Sequence, residues 1–384
     1  MPGFPVLSKK GTVMSELTGR AAIYQGVGKP LVIREFPVSQ PGAGEALLSL
    51  ESSGICGTDL HIIKGRLGIP GPLILGHEFL GRIEAIGSAG AKDGLGRRLK
   101  KGDAAIACVA IPCGACFSCL RGETASCLKF GVTYLKDPGV KPHFFGGYAE
   151  FLYMPLENLI RIPDGVSVKA AAAYPCAGPT IIRACSYAGG LEKGELVVVQ
   201  GTGPVGLFAI AWAAKAGCTV VAIGSGSSPH RLKLAKSFGA KTVLDYKALP
   251  AAERAAVIKR LAAKLGRGDG ADVVIEASGS PSAVPEGVTL LRTRGRYLIP
   301  GQYSASGPVT ISPEMITFRA LQLIGSGQYT LADLSAYLDF LKKNPDLQRK
   351  FAASITHSFT VDQAEEAMAT VDAGQAGKAV FVRK

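Results

Sequence analysis

Nine cysteines stand in this 384-residue chain, and four of them are packed into one short stretch: Cys113, Cys116, Cys119 and Cys127, spaced Cys-x2-Cys-x2-Cys-x7-Cys. Four thiolates on so short a loop suit one tetrahedral Zn²⁺ with every position filled, a closed site that fixes a lobe and leaves no room for a substrate. An iron–sulfur cluster would draw on the same residues, and disulfides are a third possibility. The odd cysteine count, and the lack of an amino-terminal basic, apolar and small-residue cleavage pattern, argue against a secreted disulfide framework. The chain therefore reads as a reducing, cytoplasmic one.

A second set of ligands is dispersed. Gly54-Ile-Cys56-Gly-Thr58-Asp59-Leu-His61 and Gly76-His77-Glu78 each place a metal-ligating residue beside a carboxylate. One thiolate, one imidazole and a later thiolate leave the fourth zinc position open to an oxygen, as Lewis-acid chemistry on a substrate requires. Taken alone, Cys56 is equally a small buried apolar residue and His77 a packed or surface imidazole. Asp59, Glu78, Thr58 and His61 beside them weigh toward a site, with Asp59 a natural acceptor for a liganding histidine ring.

The third feature is Gly201-Thr-Gly203-Pro204-Val205-Gly206, which follows an apolar strand and opens an alanine-rich helix, the context in which such glycines hold a dinucleotide. The first permits the turn, the second lets backbone approach a pyrophosphate, and the third packs helix on strand. An NAD site should then show an acid about twenty residues on. None occurs between Gly201 and Leu244; the second strand runs instead into Gly226, Ser227, Ser228 and Arg231. Hydroxyls and a guanidinium suit a 2′-phosphate, so NADP is favoured over NAD.

These residues need elements to position them. From Arg20 to about Pro179, short apolar runs broken by Gly, Pro and Asp predict a β-rich domain with long loops. From about Thr180 the texture changes to strands alternating with helical stretches: the strand beginning at Leu196, the helix from Pro204, the strand from Thr219, and so on to Glu276. That alternation predicts βαβ units and a parallel sheet. The run from Leu196 to Gly224 is apolar enough to resemble a membrane span, but its glycines, Pro204 and Lys215 argue for strand, turn and buried helix. Charge is +13 in total, and ten Lys or Arg face two acids between Arg231 and Arg267. Solvated helix faces or a phosphorylated ligand account for it better than a nucleic acid, because no basic or aromatic stripe covers the cysteine loop.

The ordered set GICGTDLH, GHEFLG, CGACFSCLRGETASC, GGYAEF and the glycine-rich turn strongly resembles the zinc-containing medium-chain alcohol dehydrogenases over residues 20–384. The resemblance implies an α/β protein with a leader (1–18), a GroES-like catalytic domain (19–180), a doubly wound Rossmann nucleotide domain (181–327) and a return to the catalytic domain (328–384). It implies two Zn²⁺ per chain. Cys56, His77 and Cys176 would hold the catalytic ion, and the four-cysteine loop the structural one. Glu78 matches a residue behind the metal, able to swing in as a temporary ligand. Thr58 and His61 match a relay in which the hydroxyl takes the alcohol proton and passes it through the cofactor ribose to the imidazole.

Thr180 is placed at the cofactor, and Lys378 supplies charge to the pyrophosphate, replacing an arginine that some relatives carry where this chain has Gly57. The insert at 130–148 either borders the substrate pocket or packs beside the zinc lobe. Implied too are a small alcohol, aldehyde or ketone as substrate, a homodimer or homotetramer, and no nucleic-acid or membrane partner. Two other readings stay open: a zinc-free quinone or enoyl reductase of the same superfamily, and, more remotely, a nucleic-acid-binding zinc protein.

Overall fold

In the computed structural model residues 17–129, 131–132, 135–302, 304 and 306–383 are described. Two sheets organise them. The parallel sheet has six strands in the order Thr242–Asp245, Thr219–Gly224, Leu196–Gln200, Ala271–Glu276, Leu291–Ile299 and Gln322–Gly325. Leu196 to Val199 are fully buried, as a strand covered by helices on both faces must be. Strand order reverses beside Leu196–Gln200, and this is where doubly wound sheets open a crevice at their carboxyl ends. Gly203 caps the helix Pro204–Lys215, Pro204 takes the first-turn place where no N–H is needed, and Gly217 ends the turn at φ +86°.

The second sheet is mostly antiparallel, in the order Leu159–Arg161, Ala104–Ala107, Glu78–Ile86, Glu45–Gly54, Lys378–Phe381 and Ile355–Phe359, with Phe151–Pro155 added to Glu45–Gly54. The last strand of the chain thus pairs with an early one, Val380 opposite Gly54. A smaller sheet joins Val32–Pro37, Thr18–Tyr24 and Leu73–Ile74. Its central strand begins at Thr18, so ordered structure reaches into the stretch read as a leader; residues 1–16 of that stretch lie outside the described residues.

One apolar core runs through both lobes, from Leu80 and Ile106 past Tyr174 to Phe208, Tyr337 and Phe351. The Phe208 ring alone meets Tyr174, Trp212, Tyr337, Phe340 and Phe351. Truncating such a ring to alanine costs about 3–5 kcal/mol. The helices Ala177–Tyr187 and Leu331–Lys343 are tied at their ends as well as packed: Thr330 and Asp333 form a capping box, and Arg183 donates to Asp333 at 2.9 Å and to Thr330 at 3.0 Å.

Candidate active site and metal centres

Cys56 caps the helix Gly57–Ile63, which carries Thr58 and Asp59 in its first turn and His61 in its last. Asp59 is fully buried. Its Oδ2 accepts the Cys56 N–H at 3.0 Å and the Tyr148 hydroxyl at 2.7 Å, while Oδ1 faces His77 Nδ1 at 3.4 Å. One carboxylate therefore orients both the backbone of Cys56 and the ring of His77. Thr58 Oγ1 lies 3.7 Å from Cys56 Sγ. Cys176 caps the helix Ala177–Tyr187, which delivers it from a different part of the chain.

The ligand atoms of Cys56, His77, Glu78 and Cys176 all lie within 4.8 Å of one another. A hydrogen bond from Cys176 holds the Cys56 thiol well below its ordinary range, with His77 and Lys378 adding to it and burial opposing. Burial works to lower His77, but Asp59 and the Cys56 sulfur outweigh it and its pKa is raised well above the usual value. Two sulfurs, an imidazole and a carboxylate converging in this way are a donor set that fits Zn²⁺.

Behind this cluster, Lys378 Nζ donates to Glu78 at 2.5 Å and to the Ile55 carbonyl at 3.1 Å. Burial pushes Glu78 up to about 7, less far than it would without the ammonium beside it. Lys378 is expected at the pyrophosphate; the structure turns its side chain onto Glu78. The strand Lys378–Phe381 pairs antiparallel with Glu45–Gly54 and carries the side chain into the interior, 1% exposed, where a lone ammonium is costly and the carboxylate compensates it. Gly54 makes room for the pair, because a Cβ there would lie 2.0 Å from Glu78 Oε2.

The four-cysteine loop brings its sulfurs together: Cys116 to Cys119 is 3.5 Å, Cys116 to Cys127 is 3.9 Å and Cys113 to Cys119 is 4.0 Å. Four sulfurs at about 2.3 Å from a tetrahedral Zn²⁺ stand about 3.8 Å apart. The loop has that spacing, and none of the nine cysteines is joined in a disulfide in the structure. Backbone N–H groups of Cys113 and Lys129 donate to Cys127 Sγ, and those of Cys119 and Leu128 hold the Cys116 thiol down to about 6.

Between the lobes lies a cavity of about 260 Å³. Its wall joins Cys56, Thr58, His61, His77, Glu78 and Cys176 to residues just past the carboxyl ends of four parallel strands: Gly203, Pro204 and Val205; Ala277 to Gly279; Pro300 and Gly301; Gly327 to Tyr329. The three glycines differ as their tasks require. Gly201 has φ +106°, and a Cβ at Gly206 would lie 2.0 Å from the Gly201 carbonyl. Around Gly203 no atom lies within 4 Å of where a Cβ would be, so its backbone faces open space a ligand can fill.

Thr180 lines the cavity with its hydroxyl donated to the Cys176 carbonyl at 2.8 Å. The His61 Nδ1 side meets Ser304, and burial together with Arg66 lowers the imidazole pKa. Gly226, Ser227 and Ser228 follow the neighbouring strand and Arg231 lies in the first turn of the helix Pro229–Phe238, all outside the cavity wall. There both Nε and Nη2 of Arg231 are turned onto the Ala376 carbonyl, at 3.2 and 2.9 Å, so two of its five N–H donors are already engaged. An acid does stand at this corner, supplied by the third strand. Asp245 accepts the Gly226 N–H at 2.9 Å, and Lys247 donates to Ser227 at 2.9 Å. Among the described residues, none of 130–148 lines the cavity; Tyr148 reaches the site from behind through Asp59, and Phe130, Thr133 and Tyr134 lie outside the described residues.

Two family profiles match, the alcohol dehydrogenase GroES-like domain over residues 42–164 and the zinc-binding dehydrogenase domain over residues 204–343. The chain is 35% identical to 5-exo-hydroxycamphor dehydrogenase of Pseudomonas putida over 90% of its own length and 94% of that protein's. It is 29% identical to a sorbitol dehydrogenase of Halalkalibacterium halodurans over 91% and 94%. Among solved structures, an alcohol dehydrogenase of Thermotoga maritima superposes with a TM-score of 0.87 at 29% identity, covering 96% of this chain and all of that one. A Sinorhizobium meliloti protein described as a zinc-binding dehydrogenase, solved bound to NADP, gives 0.78 at 26%, covering 96% of this chain and all of that one. The fold and site define an oxidoreductase with a GroES-like domain and a Rossmann domain. The chain belongs to the zinc-type medium-chain dehydrogenase/reductase family.

Proposed function

We propose that this protein is a zinc-dependent alcohol dehydrogenase that moves hydride between an alcohol and NAD(P), with NADP favoured. The observation that carries the reading is the convergence of Cys56, His77, Glu78 and Cys176 on one cavity with the open backbone at Gly203. Cys56, His77 and Cys176 would hold a catalytic zinc, and Cys113, Cys116, Cys119 and Cys127 a structural one, two ions per chain. The catalytic ion, when bound, supplies a Lewis acid that lowers the proton affinity of the alcohol oxygen. The nicotinamide, when bound, supplies the hydride acceptor.

The chain's own residues do the rest. Asp59 holds His77 and the Cys56 backbone in place, with Tyr148 fixing Asp59 in turn. Thr58 takes the alcohol proton, and His61, kept neutral near pH 7 by burial and Arg66, carries it toward solvent. Glu78 backs the metal and stays with Lys378 unless it swings inward. Gly201, Gly203, Pro204, Val205, Gly206 and Thr180 border the cofactor. Gly226, Ser227 and Ser228, joined by Lys247, favour a 2′-phosphate, against which the Asp245 carboxylate works. The substrate is a small alcohol, and a homodimer or homotetramer is the expected assembly.

Metal analysis on the same sample used for a panel of primary, secondary and aromatic alcohols with both cofactors tests the reading. Two zinc ions per chain and alcohol-dependent reduction of NADP, faster than of NAD, are expected. One ion or none, with turnover of quinones or enones in place of alcohols, would contradict it and favour a zinc-free reductase.

A further inference from the structure

Tyr329 has no task in the reading above, yet it stands in the wall of the cavity. The other buried tyrosines of the described residues all spend their hydroxyls on protein: Tyr24 on the Ile62 carbonyl, Tyr148 on Asp59, Tyr153 on Ser39, Tyr174 on Ser354, Tyr297 on Gln200 and Tyr337 on Ala170. Tyr329 is only 6% exposed. Among the described residues its hydroxyl has no hydrogen-bond partner, and it is not one of the polar atoms sealed away from all open space. The oxygen therefore keeps some accessible surface, on a residue that borders the cavity.

The placement is rigid. Tyr329 directly precedes Thr330, the cap of the helix Leu331–Lys343, and that cap is closed by Asp333 and clamped by Arg183. A phenol of ordinary pKa, about 10, is protonated at neutral pH and can donate. The same cavity wall carries His77, Glu78 and Cys176. Around it the cavity offers apolar wall from Val109, Ala110 and Ala177. A hydrogen-bond donor held in an apolar pocket is costly unless the occupant brings an acceptor.

We propose that Tyr329 is a specificity residue whose hydroxyl donates to a second oxygen of the substrate. The preferred substrates are then largely apolar alcohols that carry a hydroxyl, carbonyl or ether oxygen within a few bonds of the reacting carbon. Plain hydrocarbon alcohols of the same shape fill the cavity but leave the donor unmet, and sites built to hydrogen-bond a substrate reject analogues that lack the group. This inference rests on the dehydrogenase reading.

The test compares cyclohexanol with the 1,2-, 1,3- and 1,4-cyclohexanediols, in the wild-type holoenzyme and in Tyr329→Phe, which keeps the ring and removes only the oxygen. The wild type is expected to prefer at least one diol over cyclohexanol about tenfold or more in kcat/KM. In Tyr329→Phe that ratio falls to near one, while cyclohexanol turnover and the affinity for reduced cofactor stay within about threefold. A wild type with no diol preference, a preference that survives in Tyr329→Phe, or an equal fall for all four alcohols overturns the proposal and leaves the dehydrogenase reading standing. No turnover of any alcohol by the wild type overturns both.

Discussion

The Lys378 ammonium and the Glu78 carboxylate, 300 residues apart in the chain, meet at 2.5 Å with side chains 1% and 2% exposed, Glu78 being next in the chain to the proposed zinc ligand His77. Breaking one partner of such a pair leaves a buried charge uncompensated, whereas removing both does not. Lys378→Met is therefore expected to cost about 3 kcal/mol, and Lys378→Met with Glu78→Gln to regain most of it. Urea unfolding at equal zinc content checks this; equal losses in the single and double variants would contradict the pairing argument.

Tyr148 acts on the site through Asp59. Tyr148→Phe removes the 2.7 Å bond to Oδ2 and loosens the carboxylate that orients His77. Losses of this kind cost about 10- to 100-fold in metal affinity. Competition against a chelator should show the catalytic ion leaving at lower chelator concentration while the four-cysteine ion is retained.

Asp272 staples the parallel sheet at its base, accepting from Leu196 N–H at 2.7 Å, Arg267 at 2.9 Å and Arg292 at 2.6 Å. Burial works to raise its pKa, but the two guanidinium groups and the amide outweigh it and hold the carboxylate below its ordinary range. A pKa depressed on folding contributes stability that is fully present above the unfolded value, about 3.9, and is lost as pH falls through the folded one. Asp272→Asn should cost about 2 kcal/mol at pH 7, with the gap to wild type narrowing below about pH 4. A gap of equal size at pH 7 and pH 3 contradicts this account.

At the corner proposed for the cofactor's adenosine, Asp245 and Lys247 oppose each other. Asp245→Asn should raise the ratio of NADP to NAD in kcat/KM about tenfold, and Lys247→Ala should lower it. Initial rates with both cofactors at one alcohol concentration are enough to see it.

Where residues that converge lie in one short stretch, their convergence was legible in the sequence. The Cys113 to Cys127 loop and the turn from Gly201 to Gly206 carry their own spacing, so residue type and order were sufficient. The alternation of strands and helices from Leu196 to Glu276 was legible for the same local reason. What escaped was non-local. Nothing in the sequence tells that the strand of Lys378 pairs beside Glu45–Gly54 and turns the side chain onto Glu78. Asp245 was missed because the acid at the Gly226 corner comes from the third strand and not the second. Tyr148 and Tyr329 look like ordinary core aromatics until the fold sets one on Asp59 and the other on the cavity wall.

The central claim is that Cys176, carried in from the start of a distant helix, completes a catalytic zinc site with Cys56 and His77. Zinc content and alcohol-dependent NADP reduction, measured together on wild type and Cys176→Ala, test it most directly. The account predicts that the variant loses about one of two zinc ions per chain and nearly all turnover while the four-cysteine loop keeps its metal. A Cys176→Ala protein with full zinc and full alcohol oxidation would contradict it.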